Sequence, residues 1–246
     1  MSGADESRRV ALVTGGATRV GRAIVERLAR GGFAVAFTYH SNAASADELT
    51  SIYGPGNVLG IFADLTDPAP AVSAIQTAFA GFASRLDVLV NNASIYKGSD
   101  LASTTSELSR RLMAIHFEAP LLLAQAFAND LRKSRGHVVN MLDLLAEKPW
   151  PTYLAYCASK AALWNLTPSL ARALAPDVTV NGIAPGVVDW PADFPEAEKS
   201  KYLAKIPLAR AGTPADVASL VHYLCTEGNY ITGQVIRLDG GRSITP

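Results

Sequence analysis

The chain has 246 residues, of which 49% are hydrophobic, and this combination predicts one domain with a sizeable core. Its 22 lysines and arginines balance 22 aspartates and glutamates, which argues against nucleic acid or an anionic membrane as a partner. The two cysteines have neither metal-ligand nor disulfide-scaffold spacing, so we expect a reducing, cytoplasmic setting and no bound metal. Residues 1–9 are polar and predict a flexible tail ahead of a domain over residues 10–246, with no membrane span.

Short apolar runs alternate with helix-length segments along the chain, which is typical of βαβ units. The predicted strands are Val10–Thr14, Phe33–Tyr39, Val58–Ala63, Val88–Asn91, His137–Met141, Val178–Gly182 and Val235–Leu238. The predicted helices include Arg22–Arg30, Ala43–Tyr53, Pro68–Ala83 and one that begins near Tyr153. Pro168 lies inside the last of these and is expected to kink it, because proline removes a backbone donor. The expected fold is α/β: a single-domain, Rossmann-type, doubly wound parallel sheet of about seven strands with helices on both faces.

A glycine-rich turn follows the first predicted strand and leads into a helix. Gly15, Gly16 and Gly21 would let the backbone approach a pyrophosphate at the positive end of that helix. The same glycines could serve tight packing alone, since the Gly-x-Gly-x-x-Gly fingerprint is absent. Arg19 stands at the start of the helix, where a positive charge is unfavourable unless an anion is bound. This placement favours a binding role for Arg19 over that of a plain surface cation.

Tyr156 and Lys160 are four residues apart in a predicted helix, so their side chains lie on the same face. The ammonium of Lys160 is expected to lower the pKa of the Tyr156 phenol, which could then shuttle protons near neutral pH. Asp143 precedes Tyr156 by thirteen residues. An ionised carboxylate beside the tyrosine would repel a carbonyl oxygen that becomes negative during hydride transfer. It suits an acceptor with ring N–H groups or a nitrogen to be protonated, as in a cyclic imine, although Asp143 could instead cap a turn.

These motifs resemble those of the short-chain dehydrogenases/reductases over essentially the whole chain. The matching segments are Thr14–Gly21, Asp64–Leu65, Asn91–Ala93, Tyr156 with Lys160, Pro185–Gly186, Ile231–Gly233 and Asp239–Gly241. The resemblance implies that Asp64 and Leu65 hold adenine and that Lys160 also binds the nicotinamide ribose. It further implies a homotetramer. The residues expected to bind the cofactor are Gly15, Arg19, Val20, Gly21, Tyr39, His40, Ser41, Asn42, Asp64, Leu65, Asn91, Ala93, Ser94, Met141, Tyr156, Lys160, Pro185 and Gly186.

Within this family the chain is most similar to the pteridine reductases and the related dihydromonapterin and dihydrofolate reductases. Four departures from the family norm carry this likeness: Arg19 in place of a glycine, Ser94 after Asn-Asn-Ala, Asp143 in the position of a serine, and the strand end Tyr39–Asn42. The resemblance implies that Arg19 bridges cofactor phosphate and pterin, and that Tyr96 stacks on the pterin ring. The residues expected to bind substrate are Arg19, Ser94, Tyr96, Asp143, Tyr156 and Trp190.

Three residues keep a second interpretation. Tyr96 could be an ordinary half-buried loop aromatic. Trp190, in the irregular segment Pro185–Pro195, could close over a ligand or pack against the protein body. His116 stands where the family supplies an asparagine to a proton-relay water. It could replace that group as a hydrogen-bonding residue, leave the relay to Asp143, or be a buried packing residue.

The second predicted strand ends without the acidic residue that would accept from a ribose 2′-hydroxyl, which predicts NADPH as the cofactor. The expected function is therefore NADPH-dependent reduction of a 7,8-dihydropterin, a small-molecule substrate, to the tetrahydro form. One alternative is a carbonyl reductase or alcohol dehydrogenase of the same family, acting on a 3-oxoacyl or sugar substrate. The other is a non-catalytic dinucleotide-binding redox sensor, against which the intact Tyr156 and Lys160 pair argues.

Overall fold

Seven parallel strands form the central sheet of the computed structural model, which describes residues 8–190 and 195–245. The strands are β1 (Val10–Val13), β2 (Ala34–Tyr39), β3 (Val58–Phe62), β4 (Val88–Asn91), β5 (His137–Met141), β6 (Thr179–Pro185) and β7 (Val235–Leu238). Their order across the sheet is β3-β2-β1-β4-β5-β6-β7, and every neighbouring pair is parallel. The expected doubly wound α/β fold is confirmed.

The inner strands are apolar on both faces because helices cover the sheet on both sides. All four residues of β1 are buried, and they alternate between two cores. Leu12 packs into one core, whereas Ala11 and Val13 pack into the other. This arrangement explains why the strands appear in the sequence as continuous apolar runs rather than as alternating polar and apolar residues.

Helices of the described residues lie on both faces of the sheet. They are α1 (Arg19–Arg30), α2 (Ala43–Tyr53), α3 (Pro68–Ala80), α4 (Ser106–Met113), α5 (Ala119–Ala126), α6 (Ala128–Ser134), α7 (Leu154–Leu174), α8 (Glu196–Leu203) and α9 (Pro214–Thr226). Buried side chains of α3, α5 and α7 form one core with the sheet, and those of α1, α2 and α9 form the other. None of these helices is long and apolar enough to cross a membrane.

The predicted element bounds agree with the structure to within a few residues. The strands β4, β5 and β7 have the predicted ends, whereas β6 begins at Thr179 and extends to Pro185. Helix α1 begins at Arg19 rather than Arg22, so the glycine-rich turn leads directly into its first turn. Helix α7 continues through Pro168 as an unbroken helical segment, and the expected kink stays a prediction.

The predicted tail needs a correction at its inner end. Residues 1–7 lie outside the described part of the chain. Arg8 and Arg9, assigned to the tail, are instead held by the domain: Arg8 Nη2 donates to the Phe33 carbonyl at 2.8 Å, and the Arg9 guanidinium lies 4.3 Å from the centroid of the Phe33 ring. The Arg9 carbonyl also accepts from Ala34 N at 2.9 Å, which begins the pairing of β1 with β2.

Candidate active site

The carboxyl ends of β1, β2, β4, β5 and β6 open into a cleft with a volume of about 710 Å³. The chain winds in opposite directions from the β1–β4 pair, and ligands of open α/β sheets bind outside the strand ends at such a point. All residues expected to bind cofactor or substrate line this cleft, except Asn91. Apart from Asn91, the residues assigned to the site from the sequence therefore line one continuous cleft.

Asn91 lies in β4 and does not line the cleft, so its expected contact with the cofactor stays a prediction. It is directly beside Asn140 in the β4–β5 register, and its Nδ2 donates to Asn140 Oδ1 at 2.8 Å. The amide of Asn140 in turn donates to Thr167 Oγ1 on α7 at 3.0 Å. The next residue, Asn92, lines the cleft instead. Its Nδ2 donates to the Thr14 and Gly15 carbonyls at 2.9 and 3.1 Å, which fixes the glycine-rich turn.

Gly15 and Gly21 show why the glycine-rich turn needs glycine. Gly15 has a φ of +66°, and a Cβ there would lie 2.9 Å from Ala93 Cα. A Cβ on Gly21 would lie 2.0 Å from the Gly15 carbonyl oxygen. Gly15 N donates to Thr38 Oγ1 at 3.0 Å, so the turn is also tied to β2. The Thr18 side chain, which precedes α1, accepts no hydrogen bond from the helix, so the first turn of α1 meets the cleft without a side-chain cap.

Arg19 is the first residue of α1 and has a φ of +52°, an unusual conformation outside glycine. Its guanidinium pairs with the carboxylate of Asp189, which follows β6 on the opposite rim of the cleft. The Arg19 side chain is 60% exposed. A guanidinium at this rim can reach an anion at the helix terminus, and Asp189 is the anion that it contacts in the protein itself.

The end of β2 lies beside the end of β3 at the far end of the cleft. Tyr39, His40, Ser41 and Asn42 all line the cleft here. The Nε2 atom of His40 lies 3.6 Å from Asp64 Oδ2, and its ring stacks on Phe62 with centroids 5.9 Å apart. Hydrogen bonds from Thr66 hold the pKa of Asp64 below its usual range. Asp64 therefore stays an acceptor at neutral pH, as a partner for an adenine amino group requires.

Asp143 makes two hydrogen bonds, one that caps a turn and one that joins it to Tyr156. Its Oδ1 accepts from Leu145 N at 2.9 Å, which caps the short 3-10 turn Leu144–Ala146. Its Oδ2 accepts from the Tyr156 hydroxyl at 2.8 Å. Burial raises the pKa of Asp143 above the usual range of a carboxyl group. Asp143 is therefore both a turn cap and a carboxyl group in direct contact with the candidate proton donor.

The pKa of Tyr156 lies well above 10, first because of burial and second because of the negative charge of Asp143. The expectation that Lys160 lowers this pKa stays a prediction. Lys160 Nζ donates to the Met141 carbonyl at 2.9 Å and lies 6.0 Å from the centroid of the Tyr156 ring. Burial lowers the pKa of Lys160 to about 8, so most of it is protonated at pH 7. Tyr156 is thus a phenol whose proton faces Asp143.

Aromatic side chains surround Tyr156 at one end of the cleft. The ring of Tyr96 stacks on Tyr153 with centroids 4.8 Å apart and meets Tyr156 edge-on at 5.0 Å. Trp150 packs edge-on against Tyr153 at 6.1 Å. Tyr96 remains half-exposed. The cluster gives the cleft an apolar, flat-walled end, which suits a planar heterocycle.

Trp190 packs against the protein body at the edge of the cleft, and its closing over a ligand stays a prediction. Its ring packs edge-on against Tyr202 of α8 with centroids 5.6 Å apart, and both residues line the cleft. Residues 191–194, which continue the predicted irregular segment, lie outside the described part of the chain.

His116 is fully buried in the π-helical segment Ala114–Glu118 between α4 and α5. Its Nε2 lies 2.8 Å from Ser94 Oγ, and its Nδ1 lies 2.8 Å from Ser159 Oγ. Its ring also meets that of Tyr156 edge-on, with centroids 5.5 Å apart. Of the three predicted alternatives, the hydrogen-bonding role agrees with these contacts.

Comparison with known proteins places this site in a family. A family model described as Enoyl-(Acyl carrier protein) reductase matches residues 15–243. Pteridine reductase 1 of Leishmania tarentolae is 33% identical, over 96% of this chain and 96% of its own length. The chain belongs to the short-chain dehydrogenase/reductase family. The resemblance inferred from the sequence motifs is confirmed.

Other members of the short-chain dehydrogenase/reductase family are equally similar. The 3-oxoacyl-(acyl-carrier-protein) reductase of Aquifex aeolicus is 34% identical, over 95% of this chain and 96% of its own length. The solved structure of alternative dihydrofolate reductase 1 from Brucella canis, complexed with NADP, is 34% identical, with a TM-score of 0.87, and covers 98% of this chain and 96% of that chain. Overall similarity therefore shows an oxidoreductase of this family and leaves the substrate to be argued from the site.

Several site residues escaped the sequence-based assignment. Those that line the cleft or shape it are Thr14, Thr38, Asn92, Arg111, Trp150, Tyr153, Asp189 and Tyr202. Asn92 lies within the matching segment Asn91–Ala93, and Tyr153 precedes Tyr156 by three residues, so both had a usable signal in the sequence. Arg111 and Tyr202 lie on α4 and α8, and nothing in the local sequence indicates that these helices border the cleft.

Proposed function

We propose that the protein is an NADPH-dependent reductase that converts a 7,8-dihydropterin to its tetrahydro form. The observation that carries this proposal is the 2.8 Å hydrogen bond from the Tyr156 hydroxyl to Asp143 Oδ2, at the aromatic end of the cleft. A carboxylate here disfavours the build-up of negative charge on a carbonyl oxygen, whereas it accepts hydrogen bonds from the amino and ring N–H groups of a pterin.

The residues of the cleft fit a nicotinamide dinucleotide. The Gly15 and Gly21 positions leave no room for a Cβ and bring backbone close to the uncapped first turn of α1, where a pyrophosphate is favoured. The end of β2 carries hydroxyl, imidazole and amide groups and no carboxylate. These groups favour NADPH, because they can donate to a 2′-phosphate. The NADP bound in the Brucella canis structure supports the same choice.

Each polar side chain near the aromatic cluster has a distinct task in the proposed reaction. Bound NADPH would supply the hydride to carbon. Tyr156 gives its proton to the ring nitrogen. Asp143, which lines the cleft, can then take up a proton from solvent and pass it to Tyr156, because its raised pKa lets it hold a proton closer to neutral pH. Lys160, held at the end of β5 by the Met141 carbonyl, is a buried cation that binds the hydroxyl groups of the nicotinamide ribose.

A substrate comparison tests the proposed function. We expect NADPH oxidation to be faster by at least about tenfold with dihydrobiopterin, dihydromonapterin or dihydrofolate than with a 3-oxoacyl thioester, at equal concentrations. NADPH should also give a higher kcat/KM than NADH with the preferred substrate. A parent enzyme that prefers the thioester or a sugar would support the carbonyl-reductase alternative. Cofactor binding without turnover on the whole panel would support the redox-sensor alternative. A homotetramer stays a prediction.

Arg19→Ala is expected to weaken NADPH binding by about tenfold, because a guanidinium at the start of α1 makes charge-assisted hydrogen bonds to phosphate. It should also raise the KM for the dihydropterin, since Arg19 is proposed to contact both ligands. Fluorescence titration of NADPH and steady-state kinetics measure the two effects. Asp189→Ala is the matched control, because it removes the same ion pair and leaves the guanidinium in place. Equal losses in the two variants would show that Arg19 acts only by anchoring the loop after β6.

A further inference from the structure

The contacts of His116 determine its tautomer. The backbone N–H of Ile95 points at His116 Nε2 at 3.3 Å, and an amide N–H can only donate. Nε2 is therefore the acceptor and carries no proton. The ring proton is then on Nδ1, from which it is donated to Ser159 Oγ at 2.8 Å. Ser159 Oγ donates in turn to the Tyr156 carbonyl at 2.7 Å, so this side of the ring is anchored to the backbone of α7.

The imidazole of His116 stays neutral. It is fully buried, and burial holds its pKa well below the usual range, with a smaller contribution from the positive charge of Lys160. Because Nε2 has a lone pair facing Ser94 Oγ at 2.8 Å, the Ser94 hydroxyl donates its proton to the ring. The proton of Ser94 thus has a defined resting position.

Ser94 and Tyr156 both line the cleft and both adjoin the His116 ring: Ser94 Oγ lies 2.8 Å from Nε2, and the Tyr156 ring meets the imidazole edge-on with centroids 5.5 Å apart. Burial and the charge of Asp143 raise the pKa of Tyr156, whereas the nearby Ser94 hydroxyl lowers it as a donor. Once Tyr156 has given up its proton, its oxygen needs a donor. The Asp143 carboxylate only accepts until it has taken up a proton, and the Lys160 ammonium is held at the Met141 carbonyl, 6.0 Å from the centroid of the Tyr156 ring. The Ser94 hydroxyl can rotate away from His116 to donate to the phenolate.

We propose that His116 is a positioning residue that holds the Ser94 hydroxyl proton on Nε2 until Tyr156 is deprotonated, when Ser94 turns to donate to the phenolate. No covalent bond to hydrogen breaks at Ser94 or His116 in this exchange. The Ile95 N–H remains on Nε2 throughout, so the ring nitrogen keeps a partner after Ser94 has turned. The inference rests on the proposed function only in taking Tyr156 as the proton donor.

Two substitutions of His116 by side chains of similar shape test the contacts of Nε2 and of Nδ1 separately. The amide of glutamine reaches the Nε2 position and can accept from Ile95 N and Ser94, whereas the amide of asparagine reaches the Nδ1 position and can donate to Ser159. We expect His116→Gln to keep kcat within about threefold of the parent and His116→Asn to lower it by about tenfold or more, as expected for a hydrogen bond to a charged group. NADPH affinity should be unchanged in both.

A double-mutant cycle tests whether the effect passes through Ser94. Ser94→Ala should lower kcat about as much as His116→Asn does. The kcat of the variant that carries both substitutions should be at most about twofold lower than that of Ser94→Ala. The proposal would be overturned if the losses in kcat of the two single variants multiplied in the double variant. It would also be overturned if His116→Asn kept the parent kcat while His116→Gln lowered it. Thermal melting of each variant checks that it is folded, so that loss of rate is separated from loss of structure.

Nitrogen NMR of the folded protein tests the resting state without any substrate. The His116 ring should show a protonated Nδ1 and an unprotonated Nε2 from about pH 6 to 8, because burial keeps the ring neutral. A protonated Nε2 in this range would refute the inference, whichever substrate the enzyme proves to reduce. The kinetic variants are compared on the best substrate of the panel, so a failure of the pterin assignment leaves this test intact.

Discussion

Tyr156→Phe is expected to lower kcat by about a hundredfold or more while NADPH binding stays intact. The substitution removes the phenolic proton that is proposed to pass to the ring nitrogen, and general acid catalysis contributes on this order. The phenylalanine ring keeps the edge-on packing against Tyr96 and His116, so the fold of the cluster should persist. Steady-state kinetics and NADPH titration separate the loss in rate from any loss in affinity.

Tyr223→Phe is the control for this prediction. Tyr223 lies on α9, is 43% exposed and does not line the cleft, so the loss of its hydroxyl should leave kcat unchanged. A Tyr156→Phe variant with a rate near that of the parent would show that the proton comes from another group. Asp143 would then be the first candidate, since its raised pKa and its contact with Tyr156 place a carboxyl group at the same position.

The fold was predictable because every inner strand is covered on both faces. Such strands appear in the sequence as short apolar runs. The segments between these runs are long enough for a helix, which favours parallel βαβ units over other connections. The ends of elements were less predictable, because they depend on tertiary partners. Pro185 pairs with Leu238 of β7, and the following Gly186 N donates to the Leu238 carbonyl, so β6 extends three residues beyond the predicted end at Gly182.

The candidate site was predictable where one motif supplies several neighbours. The spacing of Tyr156 and Lys160 on one helix placed both at the cleft, as did the glycine-rich turn at the end of β1. The sequence carries no information on which strands become neighbours. The pairing of Asn91 with Asn140 across the sheet was therefore missed, and so was the capture of Lys160 Nζ by the Met141 carbonyl at the end of β5.

Asp143→Asn is expected to slow dihydropterin reduction by at least about tenfold without loss of NADPH binding. Asparagine is as good a cap as aspartate, so its Oδ1 can still accept from Leu145 N and keep the turn. Its other amide atom is a donor and has no ionisable proton to return to Tyr156. The variant therefore preserves the structural role of residue 143 and removes the chemical one.

The pH dependence of the rate tests the role of Asp143 in a second way, because the direction of the change can be predicted. Burial raises the pKa of Asp143, so its protonated form persists to higher pH than that of an ordinary carboxyl group. If this form returns the proton to Tyr156, the parent rate should fall as pH rises through the raised pKa, and this descending limb should be absent from the Asn variant. Retention of the limb in Asp143→Asn would assign it to another group.

Asp143→Ser completes the comparison, because a serine hydroxyl can donate to a carbonyl oxygen that becomes negative. We expect weak dihydropterin reduction and at best a trace of ketone reduction, since the Tyr96, Tyr153 and Trp150 cluster still shapes the cleft for a flat ring. If the Asp143→Asn variant reduced dihydropterins as fast as the parent, this would show that Asp143 serves only as a turn cap. The hydrogen bond from Tyr156 would then be structural, and the pterin assignment would lose the observation on which it rests.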